Sequence, residues 1–345
     1  MHLYPDKIST EEQLEELLSR PGDKVIEMFS RLDGDIMFLG IGGKIGPTLA
    51  LMAKRACEKA GKRKKIVGVS LFESEEQKKK LEINGIETIS GNLLDIDFMR
   101  SLPVLNNVFF LAGMKFGSLD NLSLTWAVNS FLPALATEHF KQSRIVAFST
   151  GCVYPLVTVG SGGSLETDMP FPVGEYAQSC LGRERMFEYG SGKYKTPVSL
   201  IRLNYSVELR YGVLVDIALK VKNRQPVDLT MGYFNVMWQG DVNDFVLRSL
   251  ELTESPSRIL NITGPEILSV KKVATLFGKL FGVDVQFTGQ ESGTALLSNS
   301  TLVYKLLGNP EVKVGQVIEW IAAWMKDEGR LLGKPTHFEV RDGKY

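Results

Sequence analysis

Asp35-Ile36-Met37-Phe38-Leu39-Gly40-Ile41-Gly42-Gly43-Lys44-Ile45-Gly46 is the stretch on which the fold turns. Four apolar residues run directly into glycines at every third position, Gly40, Gly43 and Gly46, and a helix-forming stretch from Thr48 to Ala60 follows. Strand, glycine turn and helix are predicted in that order. Such a turn exposes backbone N–H groups at a helix N-terminus, where they and the helix dipole hold a pyrophosphate. Gly42, Lys44 and Ile45 share the loop and are assigned to the nucleotide site with it. A glycine-rich turn with no ligand is the bland alternative, and the surrounding βαβ pattern argues against it.

Outward from this loop the pattern repeats. Upstream, Ser9 to Arg31 reads as two short amphipathic helices broken at Pro21-Gly22. Downstream come a buried strand at Ile66–Val69, a charged helix at Glu73–Asn84, strands near Glu87–Ser90 and Asn107–Leu111, a helix from Leu122 to Phe140 and a strand at Arg144–Ser149. After a Gly/Ser/Pro-rich loop, Gly160 to Gly174, a helix at Glu175–Tyr189 and a strand at Val198–Leu203 complete five or six parallel strands. The order then loosens into helices at Val213–Lys222 and Val242–Leu252, a strand at Arg258–Ile262, and a last group made of helix Val270–Phe281, strand Val283–Phe287 and helices Ser300–Leu307 and Val314–Lys326. This is an α/β, doubly wound parallel sheet of Rossmann type with a small C-terminal α/β substrate subdomain and an N-terminal helical extension. The expected boundaries are 1–33 for the extension, 34–203 plus 236–263 for the NAD(P)-binding domain, and 204–235 plus 264–345 for the subdomain.

Composition narrows the partners. The 345 residues carry 40 Lys+Arg against 40 Asp+Glu, so no electrostatic footprint for nucleic acid or an acidic membrane is present, and small-molecule partners are expected. Cys57, Cys152 and Cys180 have neither zinc-knuckle nor CxxC spacing, and His2, His139 and His337 are far apart, so no metal site is expected. The odd cysteine count, the lack of an apolar run of 18 residues and the acidic start of the chain point to a cytoplasmic protein without a signal peptide or a membrane span.

At the end of the second strand an acidic residue would hold the adenosine ribose of NAD, but Val69-Ser70-Leu71-Phe72 offers none before Glu73. Ser70 tolerates a 2′-phosphate, with Lys44 or the Lys62–Lys65 cluster as compensating charge. NADP is therefore favoured over NAD, although a solvated turn explains the lysine cluster as well.

The order of motifs from about Asp35 to Asp327 resembles the extended short-chain dehydrogenase/reductase superfamily, specifically the NAD-dependent epimerase/dehydratase family. Gly40–Gly46 match its GxxGxxG, and Gly91-Asn92-Leu93-Leu94-Asp95 is similar to its GDxxD, with Asn92 for the first Asp. Leu111-Ala112-Gly113-Met114-Lys115 is similar to the signature after its fourth strand, and Asn129 stands where the family has a helix asparagine. Phe148-Ser149-Thr150-Gly151-Cys152-Val153-Tyr154 resembles FxSTxxVYG, Tyr176-Ala177-Gln178-Ser179 resembles YxxSK, and Asn261–Glu266 with Ser298–Ser300 resemble late family patterns. The resemblance implies cofactor contacts at Ser70, Asn92, Leu93, Leu111, Ala112, Gly113, Lys115, Asn129 and Tyr176, and a homodimer through the helices at Leu122–Phe140 and Glu175–Tyr189.

It also implies hydride exchange at a carbon bearing hydroxyl or carbonyl, with Tyr176 as general acid/base and Thr150 orienting the oxygen. The family's lysine, four residues after that tyrosine, is here Cys180. A thiol carries no fixed charge to lower a phenol pKa from about 10. Arg183, two helical turns after Tyr176, and Lys115 are candidate replacements; an ion pair of Arg183 with Glu184 or Glu188 at the surface is the alternative. Between Gln225 and Gly240 no Lys or Arg offers a clamp for a sugar nucleotide. Arg202, Asn204 and Tyr205, just after the sixth strand, either reach the site mouth and pair with a carboxylate of a sugar-acid substrate or serve as structural polar groups at the strand end. The leading expectation is an NAD(P)-dependent epimerase, dehydratase or reductase of a sugar or sugar-acid substrate. A non-catalytic NAD(P)-binding sensor, and an enzyme using held cofactor for elimination, stay open.

Overall fold

A four-residue strand with every side chain buried, Ile36–Leu39, can exist only inside a sheet covered on both faces. The computed structural model, which describes residues 4–115, 117 and 120–344, places it there. Seven parallel strands form the sheet: β1 (Ile36–Leu39), β2 (Ile66–Ser70), β3 (Glu87–Ser90), β4 (Asn107–Phe110), β5 (Arg144–Thr150), β6 (Val198–Leu203) and β7 (Arg258–Ile262), in the spatial order β7-β6-β5-β4-β1-β2-β3. The chain turns back between β1 and β4, which pair through Leu39 and Phe110, and the carboxyl ends of both strands open on one crevice there.

Alternation along the strands separates two cores. Phe38, Phe109, Val146 and Ile201 face one layer, with Phe38 and Phe109 stacked at 4.9 Å between centroids. Met37, Leu39, Val108, Phe110 and Leu200 face the other. The first layer is covered by α2 (Asp23–Arg31), α3 (Gly46–Lys59) and the helix Gln239–Arg248. The second is covered by Ile96–Ser101, Leu132–His139 and the long helix Gly174–Tyr194. A third core lies around Trp238, Phe277 and Trp320, and it includes Val236 and Trp238 from the range 236–263 expected in the other domain. Helix α1 (Glu11–Leu18) puts Leu14, Leu17 and Leu18 into that third core, whereas Val25, Met28 and Phe29 of α2 pack in the first layer. The N-terminal helices thus tie the two parts of the molecule together.

Three local departures from the sequence expectation have plain causes. A short helix, Ile96–Ser101, goes unforeseen; Asp95 caps it, its carboxylate accepting from Asp97 N at 2.9 Å and Phe98 N at 3.1 Å. The strand expected over Val283–Phe287 shrinks to Phe287–Thr288, paired with Val227–Asp228. The helix expected over Leu122–Phe140 is Leu122–Trp126 and Leu132–His139 joined by one turn of π-helix, Ala127–Phe131. Among the described residues no helix is long and apolar enough to cross a membrane, and no group of three or more His, Cys, Asp or Glu is placed to hold a metal ion. His2 lies outside the described residues.

Candidate active site

The glycine loop folds as its spacing requires. Gly40 has φ of +84°, and a Cβ there would press on the Ala112 backbone. A Cβ on Gly46 would land on the Ile41 carbonyl, so this glycine serves the close approach of α3 to the loop. Gly43 differs: a Cβ there would meet only Gly40 O, at 3.7 Å, and would otherwise stand in the open. The loop is held to β2 by Gly40 N and Ile41 N donating to Val69 O at 2.8 and 3.2 Å, and Gln77 Nε2 donates to Gly42 O at 3.2 Å.

Above the loop is a cleft of about 1270 Å³. It gathers Gly40, Gly42, Gly43, Lys44, Ser70, Asn92, Leu93, Leu111, Ala112 and Gly113, ten residues drawn from the ends of four strands. A dinucleotide fits this setting: open backbone at Gly43, the N-terminus of the 14-residue α3, and a crevice at the point where strand order reverses. Ile45 and Gly46 do not line it; they start α3. Asn92 instead turns its own chain, Oδ1 accepting from Leu94 N at 3.0 Å, while still lining the cleft.

The Lys62–Lys65 cluster is excluded from this cleft. It precedes β2, at the opposite end of the sheet, where Lys64 Nζ donates to Leu32 O and Gly34 O and Lys65 pairs with Glu87 at 2.7 Å. The charged groups that do line the cleft just after β2 include Glu73, Glu76 and Lys80, and Lys80 is tied to Glu15 of α1.

Asn129 lies behind the cleft. The π-helical turn aims its amide at the loop after β4, where Oδ1 accepts from Met114 N and Nδ2 donates to Met114 O, both at 2.9 Å. Nδ2 also donates to Ser179 Oγ at 3.0 Å. The amide thereby locks that loop to the helix Gly174–Tyr194, which carries Tyr176.

Tyr176, Thr150 and Cys180 lie beyond the Gly113 end of the cleft and do not line it. The Tyr176 ring packs among Cys152, Ala177 and Leu296 on one side and Val153, Tyr154 and Cys180 on the other. Burial is the main reason its phenol is held well above the usual range; Cys180 and Cys152 add to this, and Arg183 works the other way. Burial also pushes the Cys180 thiol up to about 11. Lys115 Nζ is 6.0 Å from the Tyr176 ring centroid and donates to Thr336 O at 3.2 Å. Thr150 Oγ1 accepts from Cys152 N at 3.1 Å.

The expected surface ion pair of Arg183 does not form. Its side chain is buried, with NH1 donating to Phe148 O at 2.9 Å and NH2 to Asn129 Oδ1 at 2.5 Å. Glu188 pairs with Arg185, and Glu184 pairs with Arg202 at 2.7 Å. That second pair corrects the place of Arg202. It is 1% exposed and bound into a chain running from Glu184 through Arg202 NH1 to Tyr154 OH (2.7 Å) and from Tyr154 OH to Asn261 Oδ1 (2.9 Å), so it cannot meet a substrate at the mouth. Asn204 is buried as well, with Nδ2 donating to Asn235 Oδ1 at 2.7 Å. Tyr205, with φ of +52°, packs with Leu156 and Tyr176 against the cluster of Cys152, Ala177 and Leu296.

Sequence reasoning misses one side of the cleft entirely. Glu11, Glu12 and Glu15 of α1, Arg210, and Arg330, Leu332 and Lys334 from the segment after the last helix all line it. No local pattern announces them.

No family model matches the chain, and no curated protein matches it by sequence. Solved structures do match. A UDP-glucuronic acid 4-epimerase from Bacillus cereus, in complex with NAD and a fluorinated UDP-sugar, is 16% identical with a TM-score of 0.71, covering 85% of this chain and 99% of its own. The UDP-glucose 4-epimerase of Thermotoga maritima, with UDP-glucose, is 16% identical with a TM-score of 0.69 over the same shares. A dTDP-glucose 4,6-dehydratase from Streptomyces venezuelae with NAD bound is 14% identical with a TM-score of 0.71, covering 85% of this chain and 97% of its own. This chain has their fold. The architecture expected from the glycine loop and the later motifs is thereby upheld, and identities below one fifth carry the comparison no further than architecture.

Proposed function

We propose that the protein is an NAD-binding enzyme of the epimerase/dehydratase kind, acting on a hydroxyl- or carbonyl-bearing carbon of a sugar or sugar acid. The observation that carries this reading is the 1270 Å³ cleft at the β1/β4 reversal, floored by Gly40, Gly42 and Gly43. Bound NAD would supply a hydride acceptor or donor. Tyr176, protonated and held among apolar neighbours, acts as the acid that delivers a proton to a substrate oxygen, and Thr150, four residues before Tyr154 at the end of β5, orients that oxygen. NAD is proposed over NADP, because a 2′-phosphate at the adenosine end would face Glu73 and Glu76, while Lys80 is already engaged by Glu15. The helices Leu122–Trp126 and Gly174–Tyr194 leave Leu122, Leu124, Trp126 and Tyr189 exposed, and a homodimer through this face is part of the proposal.

A second reading, dinucleotide binding without turnover, is favoured by one observation. Residues 330–344 run past the Tyr176 side of the cleft, from Lys115, bonded to Thr336 O, to Gly174, against which Gly343 packs. Calorimetric titration with NAD, NADH, NADP and NADPH, followed by a screen of sugars and sugar acids for change in nicotinamide absorbance, separates the two. Binding of NAD with turnover that Tyr176→Phe abolishes supports the enzyme; binding with no turnover of any kind supports the second reading. Folded protein that binds none of the four overturns both.

A further inference from the structure

The segments on either side of the stretch that carries the family resemblance meet over the cleft. Glu11 of α1 accepts from Arg330 Nε at 2.7 Å and from Arg210 NH1 at 3.0 Å, and Leu332 N donates to Arg210 O at 3.0 Å. Two residues beyond Lys334 the chain is pinned again: Thr336 N and Oγ1 donate to Asp216 Oδ2 at 2.8 and 2.6 Å, and Thr336 O accepts from Lys115. Lys334 is exposed between these two anchors and lines the same cleft as Lys44 of the glycine loop.

We propose that Lys44 and Lys334 together clamp the diphosphate of a ligand seated on the glycine loop, so that the segment 330–336 is a working part of the binding site. This rests on the dinucleotide reading above and deepens it. Lys44 Nζ lies 3.3 Å from the Tyr211 ring centroid, in a setting that burial makes hostile to charge and that Lys115 and Lys334 make more so; the outcome is an ammonium pushed down to about 7. Asp216 and Glu208 oppose this, but Asp216 is bonded to Thr336 and Glu208 to Arg210. A diphosphate seated on the glycine loop, with two negative charges, adds counter-charge between Lys44 and Lys334, which line the same cleft. Arg210 and Arg330, held by Glu11, position the segment without being needed as ligands.

The clamp has a signature independent of turnover. An anion beside Lys44 favours its charged form, so binding near pH 7 takes up a proton from solvent, up to about half a proton per site. Affinity therefore falls as pH rises through 7 and levels off below it. A diphosphate diester does not titrate in this range, so the uptake belongs to the protein. The shared chemistry of a diphosphate occurs both in a dinucleotide and in a sugar nucleotide, and two probes distinguish them.

The experiment is isothermal calorimetry of the full chain with NAD and, separately, with UDP-glucose, at pH 7 in two buffers of different ionisation enthalpy. The expected result is NAD binding with proton uptake, lost in Lys44→Met, and affinity weakened about three- to tenfold in Lys334→Met, with a shallower salt dependence. Uptake seen with UDP-glucose and not with NAD supports the clamp and assigns it to the substrate's diphosphate. Binding of NAD by wild-type protein that neither variant alters, in affinity or in proton uptake, overturns the clamp while leaving the dinucleotide reading intact. Failure of wild-type protein to bind either probe overturns the dinucleotide reading and the clamp with it. Lys334 is exposed, so its variant tests the clamp even if Lys44→Met folds poorly.

Discussion

Tyr176 and Cys180, one helical turn apart on the helix Gly174–Tyr194, face each other through their side chains, and the thiol helps to hold the phenol above its usual range. In this arrangement the thiol offers the tyrosine no positive charge, and the neutral phenol is favoured. Tyr176→Phe is expected to lower kcat by about 10²–10⁴-fold at unchanged stability, measured by nicotinamide absorbance and thermal denaturation. Cys180→Lys is expected to raise kcat at pH 7 by at least about tenfold while lowering Tm by several degrees, because a fully buried site must then hold an ammonium close to Arg183. A wild-type rate that the lysine leaves unchanged would show that phenol ionisation does not limit turnover.

Two glycines of the same loop have different tasks, and substitution tells them apart. Gly46→Ala drives a methyl group into the Ile41 carbonyl, so Tm falls and dinucleotide binding weakens together. Gly43→Asp has room for its side chain and leaves the fold standing, but places a carboxylate against the bound diphosphate. Its expected signature is wild-type circular dichroism and Tm with NAD affinity reduced at least about tenfold. An equal loss of stability in both variants would contradict this division.

The buried pair Arg202–Glu184 serves the scaffold. Arg202→Met leaves the Glu184 carboxylate inside the protein with Ser149 as its remaining partner, and a destabilisation of about 3–5 kcal/mol is expected in urea denaturation. Ligand affinity per folded molecule should be unchanged; a selective loss of substrate binding at full stability would return Arg202 to the site.

Phe131 is 49% exposed at the end of the π-helical turn, in the helical segment proposed for dimerisation. Phe131→Asp is expected to convert the dimer to monomer in analytical ultracentrifugation without loss of secondary structure. A wild-type protein that sediments as a monomer at micromolar concentration removes the dimer from the proposal.

What sequence alone revealed divides by distance along the chain. The glycine loop is legible because strand, turn and helix N-terminus are consecutive, and the Tyr176–Cys180 relation is legible because four residues is one turn of helix. Sequence leaves the place of Arg202 open, because a polar residue at a strand end looks the same whether it meets a ligand or Glu184 on a neighbouring helix. The lysines at 62–65 precede β2, and residues preceding a parallel strand lie away from its carboxyl edge, so their place fits the solvated turn and not a phosphate contact. The contacts Glu11–Arg210 and Glu11–Arg330 join residues 199 and 319 positions apart, and no periodicity reports a pairing of that kind.

The π-helical turn at Ala127–Phe131 also determines how this chain tolerates insertion and deletion. It is a helix with one residue too many, and removing any one of the five would shift Leu122–Trp126 out of its present register with Leu132–His139, where Pro133 prevents the join from closing as a regular α-helix. Everything before the cut would then rotate by about 100° relative to the rest. Asn129 would lose its double grip on Met114, and the tether from the edge of the cleft to the tyrosine helix would be gone. A length change of one residue, harmless by hydrophobic pattern, would thereby undo the link between the cleft and the tyrosine helix.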